Sequence, residues 1–90
     1  MKIKKGFVLE NVGGSYIAVA VGDRAKSFNG VVRLNGTGAF IWNLLVESEY
    51  TRDEIVEKIV KVYEGVTADE VLDGVIAFEE KLRAAGIIED

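Results

Sequence analysis

Thr51-Arg52-Asp53-Glu54 and Thr67-Ala68-Asp69-Glu70 each set a threonine three residues ahead of a glutamate, at the head of a run with helical apolar spacing. That is the capping-box pattern: the hydroxyl accepts from the glutamate amide, and the carboxylate reaches back to the threonine amide. Behind the first box, Ile55, Ile59, Val62 and Tyr63 mark a buried stripe, and Gly65 is the expected stop. Behind the second, Val71, Val75, Phe78 and Leu82 recur at intervals of 4, 3 and 4, and Gly86 is the stop. The second half of the chain is therefore committed to two antiparallel helices joined by a tight link. Whatever precedes them has to cover their apolar faces.

The texture upstream is different. Before Asn35, apolar residues alternate or cluster in short runs between glycines. Phe7–Val12 and Ser15–Val21 read as two strands joined by Gly13-Gly14, a pair suited to the positive φ angles of a primed hairpin turn. In the second strand Ile17, Val19 and Val21 form a large apolar face opposite Tyr16, Ala18 and Ala20. A polar loop, Gly22–Gly30, closes on the turn signal Asn29-Gly30, and Val31-Val32-Arg33-Leu34 is a third strand. Asn35 is a natural N-cap for a first helix over about Thr37–Val46. Phe40, Ile41, Leu44 and Leu45 make its apolar face, with Trp42 and Val46 beside it. Ile87-Ile88 follows the last helix as a short extended tail. Short links favour an antiparallel meander in sequence order. The expectation is one α+β domain over 1–90, winged-helix-like, with a three-stranded antiparallel sheet followed by three helices.

Composition removes most chemistry. The chain has no cysteine and no histidine, so it lacks a disulfide, a thiolate zinc site, a Cys nucleophile and the usual general base. Ser15, Ser27 and Ser48 have no histidine partner for a triad. Its carboxylates fall on helix faces expected to be solvated, without calcium-loop spacing. Asn35-Gly36-Thr37-Gly38 follows a strand and opens a helix, but Ile41 stands where a dinucleotide fingerprint needs Gly or Ala, and no P-loop lysine follows. The expectation is a non-enzyme with no catalytic residue, metal or cofactor. No apolar run is long enough for a membrane span, and Phe7-Val8-Leu9 is too short for a signal-peptide core, which points to the cytoplasm.

Two binding roles remain, beside that of a small structural or dimerisation module with no ligand. The helix arrangement suits a winged helix-turn-helix nucleic-acid binder, but the charges oppose it. Residues 1–35 carry six basic and two acidic side chains, and residues 36–90 five and thirteen. The helix that would enter a groove opens with Asp69, Glu70 and Asp73 and has no basic residue before Lys81. Phosphates repel such a surface. The other role uses the sheet border. Lys2, Lys4 and Lys5 precede the first strand and protect it, whereas Val31–Leu34 has only Arg33 and no proline. A bare border this short is either harmless, the reading its spacing alone favours, or a docking site for an added strand or for a second copy of the chain by strand exchange.

In order, these segments resemble the PqqD-like family. Leu34-Asn35-Gly36-Thr37-Gly38-Ala39-Phe40-Ile41-Trp42-Asn43-Leu44-Leu45 is similar to its strand-to-helix segment, Leu-Asn-x-Thr-Ala-x-x-Ile-Trp-x-Leu-Leu. Thr51–Ile59 is similar to its Thr-x-x-Glu-Ile helix, and Val75, Phe78, Leu82 and Gly86-Ile87-Ile88 to its closing helix and tail. Gly36 and Gly38 depart from the better helix formers usual there. The resemblance implies a RiPP recognition element, a non-catalytic adaptor that binds the leader of a ribosomally made precursor peptide. It implies presentation of that leader to a modifying enzyme, commonly a radical S-adenosylmethionine enzyme. It also implies a leader strand laddered on Val31, Val32, Arg33 and Leu34 and packed on Val75, Phe78 and Leu82. Arg33 would face an acidic leader side chain. Nucleic acid and membrane are not implied partners, and synthesis of pyrroloquinoline quinone itself does not follow. If the amide of Val32 points outward, proline there is the natural test of the ladder.

Overall fold

The structure, a computed structural model, describes residues 1–28 and 30–89. Asn29, and with it half of the expected Asn29-Gly30 turn, lies outside the described residues. Five strands and three α-helices follow in chain order: β1 Lys2–Ile3, β2 Phe7–Val12, β3 Ser15–Ala20, β4 Val32–Leu34, α1 Gly36–Glu47, α2 Arg52–Val62, α3 Ala68–Ala84 and β5 Ile88–Glu89. β2, β3 and β4 form an antiparallel sheet in that order. The fold is therefore the α+β meander followed by three helices.

The β2–β3 turn has Gly13 at φ 58° and Gly14 at φ 84°, the pair of left-handed residues that a type I′ turn requires. The register pairs Phe7 with Ala20, Leu9 with Ala18, Ala18 with Val32 and Tyr16 with Leu34. The small face of β3 is consequently the inner one. Ala18 is fully buried, and Phe7, Leu9, Val32 and Leu34 pack into the core beside it. The larger face, with Ile17 and Val19, turns away from the helices together with Val8. On the inner face Ala18 sits between the larger Leu9 and Val32 of the neighbouring strands, which fill the space beside it.

Two other faces also differ from expectation. On α1 the buried residues are Ala39, Ile41, Trp42 and Leu45, while Phe40 and Leu44 are half-buried and Val46 is exposed. Trp42 is 2% exposed, so it belongs to the centre of the core and not to its flank. On α2 only Ile55 and Ile59 are buried; Val62 is 59% and Tyr63 38% exposed. α2 ends at Val62, and Tyr63 is already extended, so the helical period of the stripe stops there.

The helix ends explain why the helices stop where they do. Thr51 and Glu54 form the full reciprocal box, at 3.2 Å and 2.9 Å. The contact with the Thr51 amide and hydroxyl holds the Glu54 carboxyl below its usual range. The second box is half-made. Thr67 Oγ1 accepts from the Glu70 amide, but the Glu70 carboxylate accepts from the same hydroxyl and not from the Thr67 amide. α3 closes in a Schellman arrangement: the Gly86 amide donates to Arg83 O, the Ile87 amide to Leu82 O, and Gly86 sits at φ 78°. That turn aims Ile87 and Ile88 into the core and sends the extended tail along β1, where Lys2 pairs with Glu89 and Ile3 with Ile88. The expected tail thus has a partner strand at the other end of the chain.

Among the described residues no helix is long and apolar enough to cross a membrane.

Candidate functional site

β4 lies at the border of its sheet, bonded to β3 on one side only. On its other side is a groove of about 450 Å³, walled by β4 and the start of α1 on one bank and by α3 on the other. The described backbone does not occupy this border, and the short β1–β5 pair lies elsewhere. The added-strand hypothesis requires such an open border.

The direction of the backbone groups follows from one contact. Lys81 Nζ, reaching over from α3, donates to the carbonyl of Arg33. That carbonyl therefore points away from β3. In an antiparallel pair the polar groups of successive residues alternate in direction. The Arg33 amide and carbonyl thus face the open side, and those of Val32 and Leu34 face β3. This corrects the ladder expected from sequence. Val31 lies outside the strand, and within it Arg33 alone offers a complete outward pair. Proline at Val32 would break the protein's own sheet, so the fair test lies at Arg33.

Side chains alternate as well. Val32 and Leu34 point to the inner face and the core, while Arg33 shares the outer face with Ile17. Of the three α3 residues expected to meet a ligand, Val75 and Leu82 are 0% exposed and belong wholly to the core. Phe78, 6% exposed, lines the groove together with Leu34 and Ile41.

The groove-facing stripe of α3 is instead Glu70, Gly74, Ala77 and Lys81. It repeats the spacing of the core stripe, displaced by one residue toward the N-terminus. Sequence reasoning followed the apolar stripe and passed over its neighbour. The available signal was Gly74, a glycine in the interior of a strong helix, where it costs about 0.5–1 kcal/mol relative to alanine. Its φ is not in the left-handed region, and a Cβ built on it meets nothing within 4 Å. The fold does not need this glycine, but it does keep the groove open. Tyr63 also lines the groove, with its ring set edge-on against Phe40 at 5.7 Å.

Gly38, which seemed to loosen α1, fits its place. Its amide donates to Asn35 Oδ1 at 2.7 Å, completing the N-cap, and a Cβ there would stand 3.2 Å from Leu34 Cβ. A side chain at that position in the strand-to-helix turn, at one end of the groove, requires Leu34 to give way by a few tenths of an ångström.

The far face of α3 is held by Glu79. Its carboxylate takes Arg52 of α2 at 3.0 Å and Arg83 at 3.1 Å. Burial raises its pKa, but the hydrogen bonds from the two guanidinium groups outweigh this and hold the carboxyl below its usual range. α2 and α3 are thereby clamped on the side away from the groove.

Comparison with known proteins bears on the same region. Residues 7–88 match the family model described as Coenzyme PQQ synthesis protein D (PqqD). A comparison with curated proteins returned no match. Among solved structures, the fold is similar to that of TbiB1 in complex with the TbiA(beta) leader peptide, with a TM-score of 0.75 and 24% identity over 99% of this chain and 95% of that one. At this identity the likeness establishes a shared fold.

Proposed function

From the premise that the chain belongs to the PqqD family, we propose that it is a peptide-binding adaptor of the RiPP recognition type. It captures the leader of a ribosomally synthesised precursor as an extra strand on β4, with alternate leader side chains in the groove against α3. The captured precursor is then presented to a modifying enzyme in the cytoplasm, of the radical S-adenosylmethionine class. The module itself performs no chemistry. The observation that carries this reading is an uncovered strand border beside an apolar groove, on a fold also found in TbiB1, a protein solved with a leader peptide. Strand addition is a general mode of peptide capture, in which main-chain bonds hold the segment and pockets select its side chains.

The test is titration of the protein with the synthetic leader of any short precursor peptide found encoded beside its gene, followed by amide NMR. Saturable binding is expected, with shifts confined to β4, the start of α1 and α3. The Arg33 amide should become protected from exchange. Arg33→Pro, which removes that outward donor without touching the β3 ladder, should weaken binding about tenfold, the loss expected for one hydrogen bond with its alignment. Arg33→Ala, which keeps the amide, should lose less. Binding that leaves the Arg33 amide unprotected would refute strand addition. Binding to duplex DNA that falls steeply with salt would favour the winged-helix alternative.

A further inference from the structure

The contact between Lys81 and the Arg33 carbonyl has a second consequence, which rests on the strand-docking reading above. A segment adding to β4 needs that carbonyl for its own amide and so has to displace the Lys81 ammonium. The released ammonium then stands at the end of the groove beside the incoming strand. Among the described residues no carboxylate lies within ion-pair distance of Lys81 or of Arg33. Lys4, Lys5, Arg24 and Lys58 likewise lack one among the described residues, so what distinguishes Lys81 is its bond to the border carbonyl. The opposite end of the same stripe carries Glu70, which repels a carboxylate at that end.

We propose that Lys81 is a specificity-determining latch: it closes the β4 border when no peptide is bound, and it selects peptides bearing an aspartate or glutamate within one residue of the position that pairs with Arg33. A neutral strand takes the carbonyl and leaves the ammonium without its protein partner. An acidic strand takes the carbonyl and supplies a replacement in the same step, by a charge-assisted bond. A lysine near a sheet border also blunts unwanted pairing, so one side chain serves both restraint and choice. Lys81 is a selector and not part of the groove floor; its side chain is exposed, and its replacement leaves the core stripe untouched.

The test uses a random twelve-residue peptide display library selected on wild-type protein, Lys81→Gln and Lys81→Glu. Peptides whose binding is weakened by Arg33→Pro are carried forward. One acidic peptide and its neutral amide counterpart are then titrated onto each protein. The wild type should enrich Asp or Glu at one register position and prefer the acidic peptide by about two- to fivefold, the scale of an exposed ion pair. The ratio should fall to about one in Lys81→Gln and below one in Lys81→Glu. Because the readout is a ratio, a small loss of stability in a variant does not affect it. If groove-binding peptides are enriched without an acidic preference, or the preference survives in Lys81→Gln, the latch is overturned while strand docking stands. If none of the three proteins enriches any peptide sensitive to Arg33→Pro, strand docking itself fails, and the latch with it.

Discussion

Gly74→Ala separates the demands of the fold from those of the groove. Gly74 lies in the interior of α3, exposed, with ordinary helical φ and nothing within 4 Å of a built Cβ. The added methyl therefore meets no clash, and the helix gains the propensity difference between alanine and glycine, about 0.5–1 kcal/mol. For a domain of this size that corresponds to a rise of about 2–8 °C in Tm. The urea midpoint should rise with unchanged m-value, because the surface exposed on unfolding barely changes. The same methyl projects into the groove. If a peptide backbone passes over Gly74, overpacking at that contact costs about 1–3 kcal/mol, or roughly fivefold to more than a hundredfold in affinity. The assay pairs thermal and urea denaturation with titration of the leader peptide. The expected result is a more stable protein that binds more weakly. A destabilised variant would refute the account of α3. A stabilised variant with unchanged affinity would refute the claim that the ligand lies against this face of the helix.

Two further outcomes probe the frame around the groove. Asn35→Ala removes the acceptor for the Gly38 amide and should lower stability by about 1 kcal/mol, read as a lower urea midpoint. Glu79→Gln weakens the clamp between α2 and α3 and should cost about 1 kcal/mol at neutral pH. Because the folded state holds the Glu79 carboxyl below its reference value of 4.5, its contribution is complete above that pH and is lost as pH falls through the lowered value. The stability gap between wild type and variant should therefore close only in acid, and a gap independent of pH would contradict the assignment.

The elements were legible in the sequence because each has a local cause. Thr51 and Thr67 start helices, Gly86 stops α3, and Gly13-Gly14 turns a hairpin whatever the rest of the chain does, whereas α2 ends at Val62 with Tyr63 already extended, before the expected stop at Gly65. The faces were less legible because they depend on what lies opposite. Ile17 and Val19 are larger than Ala18, yet Ala18 is the buried one, since its neighbours across the sheet are Leu9 and Val32. Trp42 is central for a similar reason: it lies among the residues that α1 buries, with Ala39, Ile41 and Leu45. The sheet order that leaves β4 at the border was legible, and Phe78 lines the groove beside it. The stripe Glu70, Gly74, Ala77 and Lys81 was not legible, since a groove is a surface the protein leaves empty and its lining has no hydrophobic period. The bond from Lys81 to Arg33 joins residues 48 apart in the chain, and no local pattern announces it.

The shortness of β4 also determines how affinity is divided between backbone and side chains. Within the strand Arg33 alone presents an outward pair, and two exchanged hydrogen bonds are worth at most about 1–3 kcal/mol net, reduced by loss of the Lys81 bond that the incoming strand displaces. Flanking groups on Val31 and Asn35 would at best double that, and the Asn35 carbonyl is already taken by the Ala39 amide. Micromolar binding needs about 8 kcal/mol, before the cost of ordering a flexible segment. The ladder therefore fixes direction and register, and most of the remaining free energy has to come from apolar side chains filling the groove over Leu34, Ile41 and Phe78. A long bare strand would bind any extended chain and would template aggregation. A three-residue strand, latched by one lysine and flanked by a shaped groove, holds only a segment that satisfies both.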